Sequence, residues 1–299
     1  MAWTPNLIIA GVAKCGTTTL HDLLDAHPRV TGGKEKEVRF LMDADEELCP
    51  KVNVRDSGLK AWAAQFEDDG KGDFDIWMDA SPQYQYQRIA KETIAALDPQ
   101  PKVAFIVRDP VRRLFSLYQY ARYHQRRLPH VESFAQFIDE IRSPIDSRIA
   151  DQKMLVNAWV DSQYDQMLED WAKVVPPERL FVTSVEELGS ERESTLTGLA
   201  EWLGIAPQPL INAEIERSNP TVVTKSRLLK KYGGKLARAL PENSLIRALK
   251  TKVREMNSNE VDRDELAENA GLIDALNTQF APHMTRFNAL RRELTANGT

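Results

Sequence analysis

Apolar and polar positions divide the first two thirds of the chain into short solid blocks and longer periodic ones. Residues 6–11 (NLIIAG) are an almost unbroken apolar run, which predicts a short buried strand. Residues 17–26 then take up helical spacing. Residues 74–78 read as a second strand, ending at Asp79-Ala80-Ser81-Pro82, and 88–97 as a helix that stops before Pro99. The clearest strand is 102–107 (KVAFIV), β-branched, apolar and bounded by prolines on both sides. Pro110 sits where proline opens a helix, and the helical pattern from there reaches about residue 127. An amphipathic helix over 164–174 ends at Pro176-Pro177. A strand over 179–183 and a helix over 193–203, closed by Gly204, complete the series.

Strands alternating with helices predict an α/β fold with a central parallel sheet flanked by helices. No strand is expected beyond Gly204. Residues 212–224 read as loop, and the remainder is polar and helical, with a last helix over 272–294. Residues 1–299 are therefore expected to form one domain: an α/β core over about 1–205 and a helical C-terminal extension over about 206–299. No repeat or low-complexity tract interrupts it.

Composition narrows the class. The 299 residues are 42% hydrophobic and 28% charged with a net charge of -5, as in a soluble globular protein. No stretch approaches the roughly 20 apolar residues of a membrane helix, and the N-terminus lacks the pattern of a signal peptide, so a cytoplasmic protein is expected. Two cysteines, Cys15 and Cys49, make no disulfide framework. Cys15 has no His or Asp placed by motif to activate it, and reads as an incidental loop residue. Charge is uneven: residues 225–254 carry +9 and the rest -14. That segment is either a solvated helical face or a surface for an anionic ligand, substrate or membrane.

The chemistry is concentrated at two strand-to-helix junctions. The first is LIIAGVAKCGTTTL, in which Gly11 and Gly16 have the spacing of a Walker A loop but Thr17 stands where its lysine should be. The lysine is Lys14. Glycines still allow a tight turn whose amides face one anion, and the following helix adds its positive end. Thr17, Thr18 and Thr19 add hydroxyl donors. At the second junction the strand ending at Val107 is followed by Arg108, a second anion ligand. Lys14 and Arg108, without an evident metal-binding acid, suit a ligand whose charge is met by protein cations alone.

Here the chain resembles the sulfotransferases that use 3′-phosphoadenosine 5′-phosphosulfate (PAPS). G-x-x-K-x-G-T-T-x-L is similar to their 5′-phosphosulfate loop. Arg108-Asp109-Pro110-Val111-Arg112-Arg113-Leu114-Phe115-Ser116 is similar to the strand-tip Arg and helical Ser of their 3′-phosphate site. The resemblance covers about residues 6–205. It leans toward the branch of carbohydrate (heparan sulfate) sulfotransferases and their bacterial relatives, because GGKEKEVRFL (32–41) resembles the segment that carries that branch's catalytic base.

The resemblance implies a P-loop-like fold and transfer of a sulfuryl group from PAPS to an acceptor hydroxyl, without a metal, releasing adenosine 3′,5′-bisphosphate. It implies Lys14 at the bridging oxygen, Cys15, Gly16, Thr17, Thr18 and Thr19 at the 5′-phosphate, Arg108 and Ser116 at the 3′-phosphate, and Glu37 as base with Glu35 as the fallback. Lys225 and Arg227 would belong to a basic element closing over the nucleotide. Asp79-Ala80-Ser81-Pro82-Gln83-Tyr84 resembles a segment at the acceptor cleft, which makes Asp79, Ser81 and Tyr84 candidate substrate residues. Many relatives have lysine where this chain has Ala80. Asp161-Ser162-Gln163-Tyr164 stands in the place of a Gly/Ser-x-Tyr element. Trp62, Tyr84, Tyr86, Tyr118 and Tyr123 could line the acceptor cleft, although such aromatics are more often core. The acceptor is expected to be a small metabolite, lipid or modest glycan. Two other readings remain: a P-loop kinase or NTPase using Mg·ATP, and a non-enzymatic nucleotide- or polyanion-binding module on 225–254. The chain carries no folded nucleic-acid motif.

Overall fold

The computed structural model describes residues 4–66, 73–143, 149, 152–214, 223–224, 258–259 and 268–297. In chain order its elements are β1 (Leu7–Gly11), α1 (Thr17–Asp25), β2 (Val30–Gly32), α2 (Val54–Ala63), β3 (Ile76–Asp79), α3 (Arg88–Ala96), β4 (Lys102–Val107), α4 (Pro110–Gln119), α5 (Phe134–Arg142), α6 (Lys153–Val156), α7 (Tyr164–Ala172), β5 (Leu180–Ser184), α8 (Val185–Ser190), α9 (Arg192–Leu203), α10 (Gln208–Ile211), β6 (Val223–Thr224), β7 (Ser258–Asn259) and α11 (Ala270–Asn297).

β1 to β5 form one sheet in the order β2-β3-β1-β4-β5, every neighbouring pair parallel. β1 lies in the middle and all five of its residues are buried. Its alternate side chains serve two cores, as a strand covered on both faces must. Leu7 and Ile9 pack with Leu20, Leu23 and Leu199 on one face, and Ile8 and Ala10 with Trp62, Phe105 and Trp171 on the other. The carboxyl ends of β1 and β4, at the centre of this sheet, are where an open α/β sheet offers a ligand crevice.

The four sheet strands expected from the sequence are present, but the edge strand β2 is not among them. It has three residues, too few to display a period. The helix expected from Pro110 to about residue 127 ends at Gln119 and passes into a π-helical turn, Tyr120–Gln125, closed by Arg126 in the left-handed region (φ 59°). Beyond Gly204, where no strand was expected, β6 and β7 pair antiparallel over two residues each.

The last helix, α11, packs against α7. Its Phe287 is buried with Val12, Cys15, Tyr164 and Leu168 directly behind the β1–α1 loop. His283 and Arg286 both reach the buried carboxylate of Asp165, at 3.0 and 2.5 Å. Arg291 makes a bidentate pair with Glu187 (2.6 and 2.9 Å). Such paired, planar contacts fix orientation as well as distance. No helix among the described residues is long and apolar enough to cross a membrane.

Candidate active site

β1 ends at a glycine because nothing larger fits: a Cβ on Gly11 would lie 2.9 Å from Gln85 Oε1 and 3.1 Å from Phe105. The loop then turns through two left-handed residues, Lys14 (φ 72°) and Gly16 (φ 84°). Glycine adopts this geometry freely, whereas for lysine it costs about 1–3 kcal/mol, a strain that concentrates at ligand-binding sites. Gly16 caps α1 without a side-chain hydrogen bond. The amides of the first turn have no partner within the helix, the hydroxyls of Thr18 and Thr19 are half-buried, and Thr17 is buried. Cys15 is also buried, with its Sγ 3.5 Å from the Tyr164 hydroxyl, and burial pushes its thiol up to about 11. A thiol so protonated is an inert packing group.

Lys14 is half-buried. Burial first, and then the Arg108 guanidinium, push its ammonium down to about 8, while Cys15 and Glu37 act in the opposite sense. Arg108 follows β4 directly. Asp109 Oδ1 accepts the Arg112 amide (2.8 Å), and with Pro110 at the first position this starts α4. Ser116 lies two turns along that helix and is half-buried. Among the described residues, neither Arg108 nor Ser116 has a side-chain hydrogen bond or ion pair.

One residue of this junction was not singled out from the sequence. Arg113 is 2% exposed. Its Nε donates to the Ala13 carbonyl of the loop (3.2 Å), and its Nη1 donates to Ala158 O (3.0 Å) and Ser162 Oγ (2.7 Å). Asp161 lies 4.0 Å from its Nη2, and burial raises that carboxyl to about 6 against the pull of Arg113. The guanidinium clasps the back of the loop and joins it to the Asp161–Tyr164 segment. The sequence signal was the second arginine of Arg112-Arg113, which has no distinguishing pattern of its own.

In the loop after β2, Glu37 is half-buried and Glu35 is exposed. Glu37 Oε2 accepts a hydrogen bond from Gln83 Nε2 (3.0 Å), and the carboxylate pairs with Arg39 Nε (3.3 Å) and Lys36 Nζ (3.5 Å). Arg39 is left-handed (φ 55°), and its loop is held from beneath. The Arg39 amide donates to Ser81 Oγ (2.8 Å) and the Leu41 amide to the Tyr84 hydroxyl (3.1 Å). Both hydroxyls donate onward to Asp79, at 2.6 and 2.9 Å, and Trp62 Nε1 donates to it at 3.0 Å.

Burial raises the Asp79 carboxyl to about 6, with these three hydrogen bonds opposing. Asp79, Ser81 and Tyr84 are all 0% exposed and support the Glu37 loop from beneath. The residue from this turn that reaches Glu37 is Gln83, which the motif contained but did not mark.

Of the other aromatics, Trp62 and Tyr118 are core, and Tyr86 and Tyr123 are half-buried. Lys225 and Arg227, and the basic stretch 225–254, lie outside the described residues.

A family model described as "Sulfotransferase domain" matches residues 4–231. The human bifunctional heparan sulfate N-deacetylase/N-sulfotransferase 3 is 25% identical over 204 residues, 68% of this chain and 22% of that protein. The human heparan sulfate glucosamine 3-O-sulfotransferase 3B1 is 28% identical over 204 residues, 67% of this chain and 46% of that protein. The chain thus spans between about a fifth and a half of the length of these relatives. Among solved structures, a sulfotransferase from Alicyclobacillus acidocaldarius shares the fold with a TM-score of 0.64 at 19% identity, covering 97% of both chains.

Proposed function

We infer the activity of this protein from its family: the chain belongs to the sulfotransferases. Its site is read as transferring a sulfuryl group from PAPS to an acceptor hydroxyl, releasing adenosine 3′,5′-bisphosphate. The observation that carries the reading is the position of Lys14. Its ammonium lies within electrostatic reach of both Arg108 and Glu37, the residues read here as phosphate ligand and base.

The residues fit such a donor. PAPS supplies the sulfuryl group and carries phosphates at both the 5′ and 3′ positions. The amides from Gly16 to Thr19 and the hydroxyls of Thr18 and Thr19 would hold the 5′-phosphate, as helix N-termini do, with Cys15 lining the same loop. Arg108 and Ser116, free of protein partners among the described residues, would hold the 3′-phosphate. Arg113 keeps the loop in place from behind through Ala13.

Glu37 would take the acceptor proton while the acceptor oxygen gains the sulfuryl group. Lys14 would meet the electron pair left on the phosphate oxygen, where a preorganised cation in a dry site stabilises charge most. Gln83 and Arg39 hold the Glu37 carboxylate in one orientation for this step. Glu35, being exposed, is the weaker candidate base. Lys225 and Arg227 retain a proposed role over the nucleotide.

The acceptor is read as a small hydroxylated metabolite, lipid or glycan. Residues 206–299 are read as part of the same domain, supported by the burial of Phe287 behind the phosphate loop. A thermal-shift comparison tests the donor: adenosine 3′,5′-bisphosphate should stabilise the protein and Mg·ATP should not, and the reverse order would overturn the reading. Transfer of label from PAPS to acceptor extracts tests the reaction itself.

A further inference from the structure

The lysine at the centre of the site is held by something other than a carboxylate. Among the described residues no ion pair includes Lys14. Its Nζ instead lies 4.0 Å from the centroid of the Tyr120 ring. Tyr120 is backed in turn by the ring of His124, stacked at 5.1 Å and 17°.

We propose that Tyr120 is a positioning residue for Lys14, its ring face holding the ammonium at the mouth of the phosphate loop. The inference rests on the assignment of Lys14 to the donor. The ring is placed by α4 and the turn at its C-terminal end. Ser116 and Tyr120 are four residues apart, a spacing that puts two side chains on one helix face. At Tyr120 the helix gives way to the π-helical turn Tyr120–Gln125, a conformation that recurs at functional sites. The segment that brings Ser116 to the crevice thus carries the ring to Lys14.

The choice of a ring has a physical reason. A carboxylate at this distance would neutralise Lys14 and repel an incoming phosphate. A π face attracts the cation through its quadrupole and adds no net negative charge. The charged groups that act on Lys14 are Arg108, which opposes its charge, and Glu37, which favours it. Tyr120 adds a favourable contact that leaves the crevice cationic. The Tyr120 hydroxyl makes no hydrogen bond among the described residues, so the ring alone carries the effect.

The test compares wild type, Tyr120→Phe and Tyr120→Leu. Binding of adenosine 3′,5′-bisphosphate is measured by calorimetry between pH 7 and 9.5. Affinity should fall as pH rises through the lysine's titration near 8, because the ammonium is lost. Tyr120→Phe should keep the wild-type limb. Tyr120→Leu should move it down by about half to one and a half pH units, the effect of losing a cation–π contact.

A second readout needs no ligand: the ¹³C NMR titration of reductively methylated Lys14, assigned by its loss in Lys14→Arg. If Tyr120→Leu leaves this titration where wild type has it, or if Tyr120→Phe moves it as far as Tyr120→Leu does, the proposal is wrong. Wild type that titrates as expected but fails to bind the bisphosphate would instead overturn the donor assignment. Should Tyr120→Leu not fold, Tyr120→Met provides the same comparison.

Discussion

The Nε of Arg113 donates to the carbonyl of Ala13 across 3.2 Å, joining two strand-to-helix junctions that lie 100 residues apart in the sequence. The same guanidinium satisfies Ala158 O and Ser162 Oγ. Removing it leaves buried acceptors and the Asp161 carboxylate without a cation. Arg113→Ala should therefore lose roughly 3–5 kcal/mol of stability in urea denaturation, as when one partner of a buried ion pair is deleted. A loss below about 1 kcal/mol would mean that the clasp is not structural.

Arg108 should be selective in its effect. A charge-assisted hydrogen bond contributes about 1.5–3 kcal/mol, so Arg108→Ala should weaken adenosine 3′,5′-bisphosphate roughly 10- to 150-fold. Adenosine 5′-monophosphate lacks the 3′-phosphate and should change by no more than about threefold. Equal losses for both nucleotides, measured by calorimetry, would remove Arg108 from the 3′-phosphate.

Glu37→Gln keeps the size of the side chain and removes the base. Turnover should fall by about 10²- to 10⁴-fold, the range of general-base catalysis, while bisphosphate affinity stays near wild type. Gln83→Leu, which deletes the 3.0 Å hydrogen bond to Glu37, should lower kcat less severely with the donor KM unchanged. Full activity in Glu37→Gln would end the base assignment.

Asp79 predicts a pH dependence of stability. Burial raises its folded pKa to about 6, above the ordinary carboxylate value of 3.8. The folded state thus binds the proton more tightly than the unfolded chain, and this contribution is present below pH 4 and lost as pH rises through 6. The change is about 3 kcal/mol. Asp161, also raised to about 6, titrates in the same window. Asp79→Asn should remove one of the two contributions, so the difference in unfolding free energy between wild type and variant should vary between pH 4 and 6.5 and be flat above it. A difference independent of pH across that range would contradict the buried carboxyl network.

The sequence by itself determined whatever is chemically local. The block KVAFIV, the apolar run before Gly11 and the helix closed by Gly204 all form where residue pattern predicts them, because strand and helix periods are written in contiguous residues. The glycine-lysine-threonine loop and the Arg108–Ser116 junction were legible for the same reason. Only the tertiary structure decided what meets across the chain. β2 is too short to announce itself, and its place at the edge beside β3 depends on pairing with residues 46 positions away.

Gln83 on Glu37, Arg113 on Ala13 and Tyr120 on Lys14 are likewise contacts between residues far apart in sequence, which leave no spacing to read. Asp79, Ser81 and Tyr84 belong to a motif the sequence displays, but their burial under the Glu37 loop is set by what packs over them, which no local pattern records.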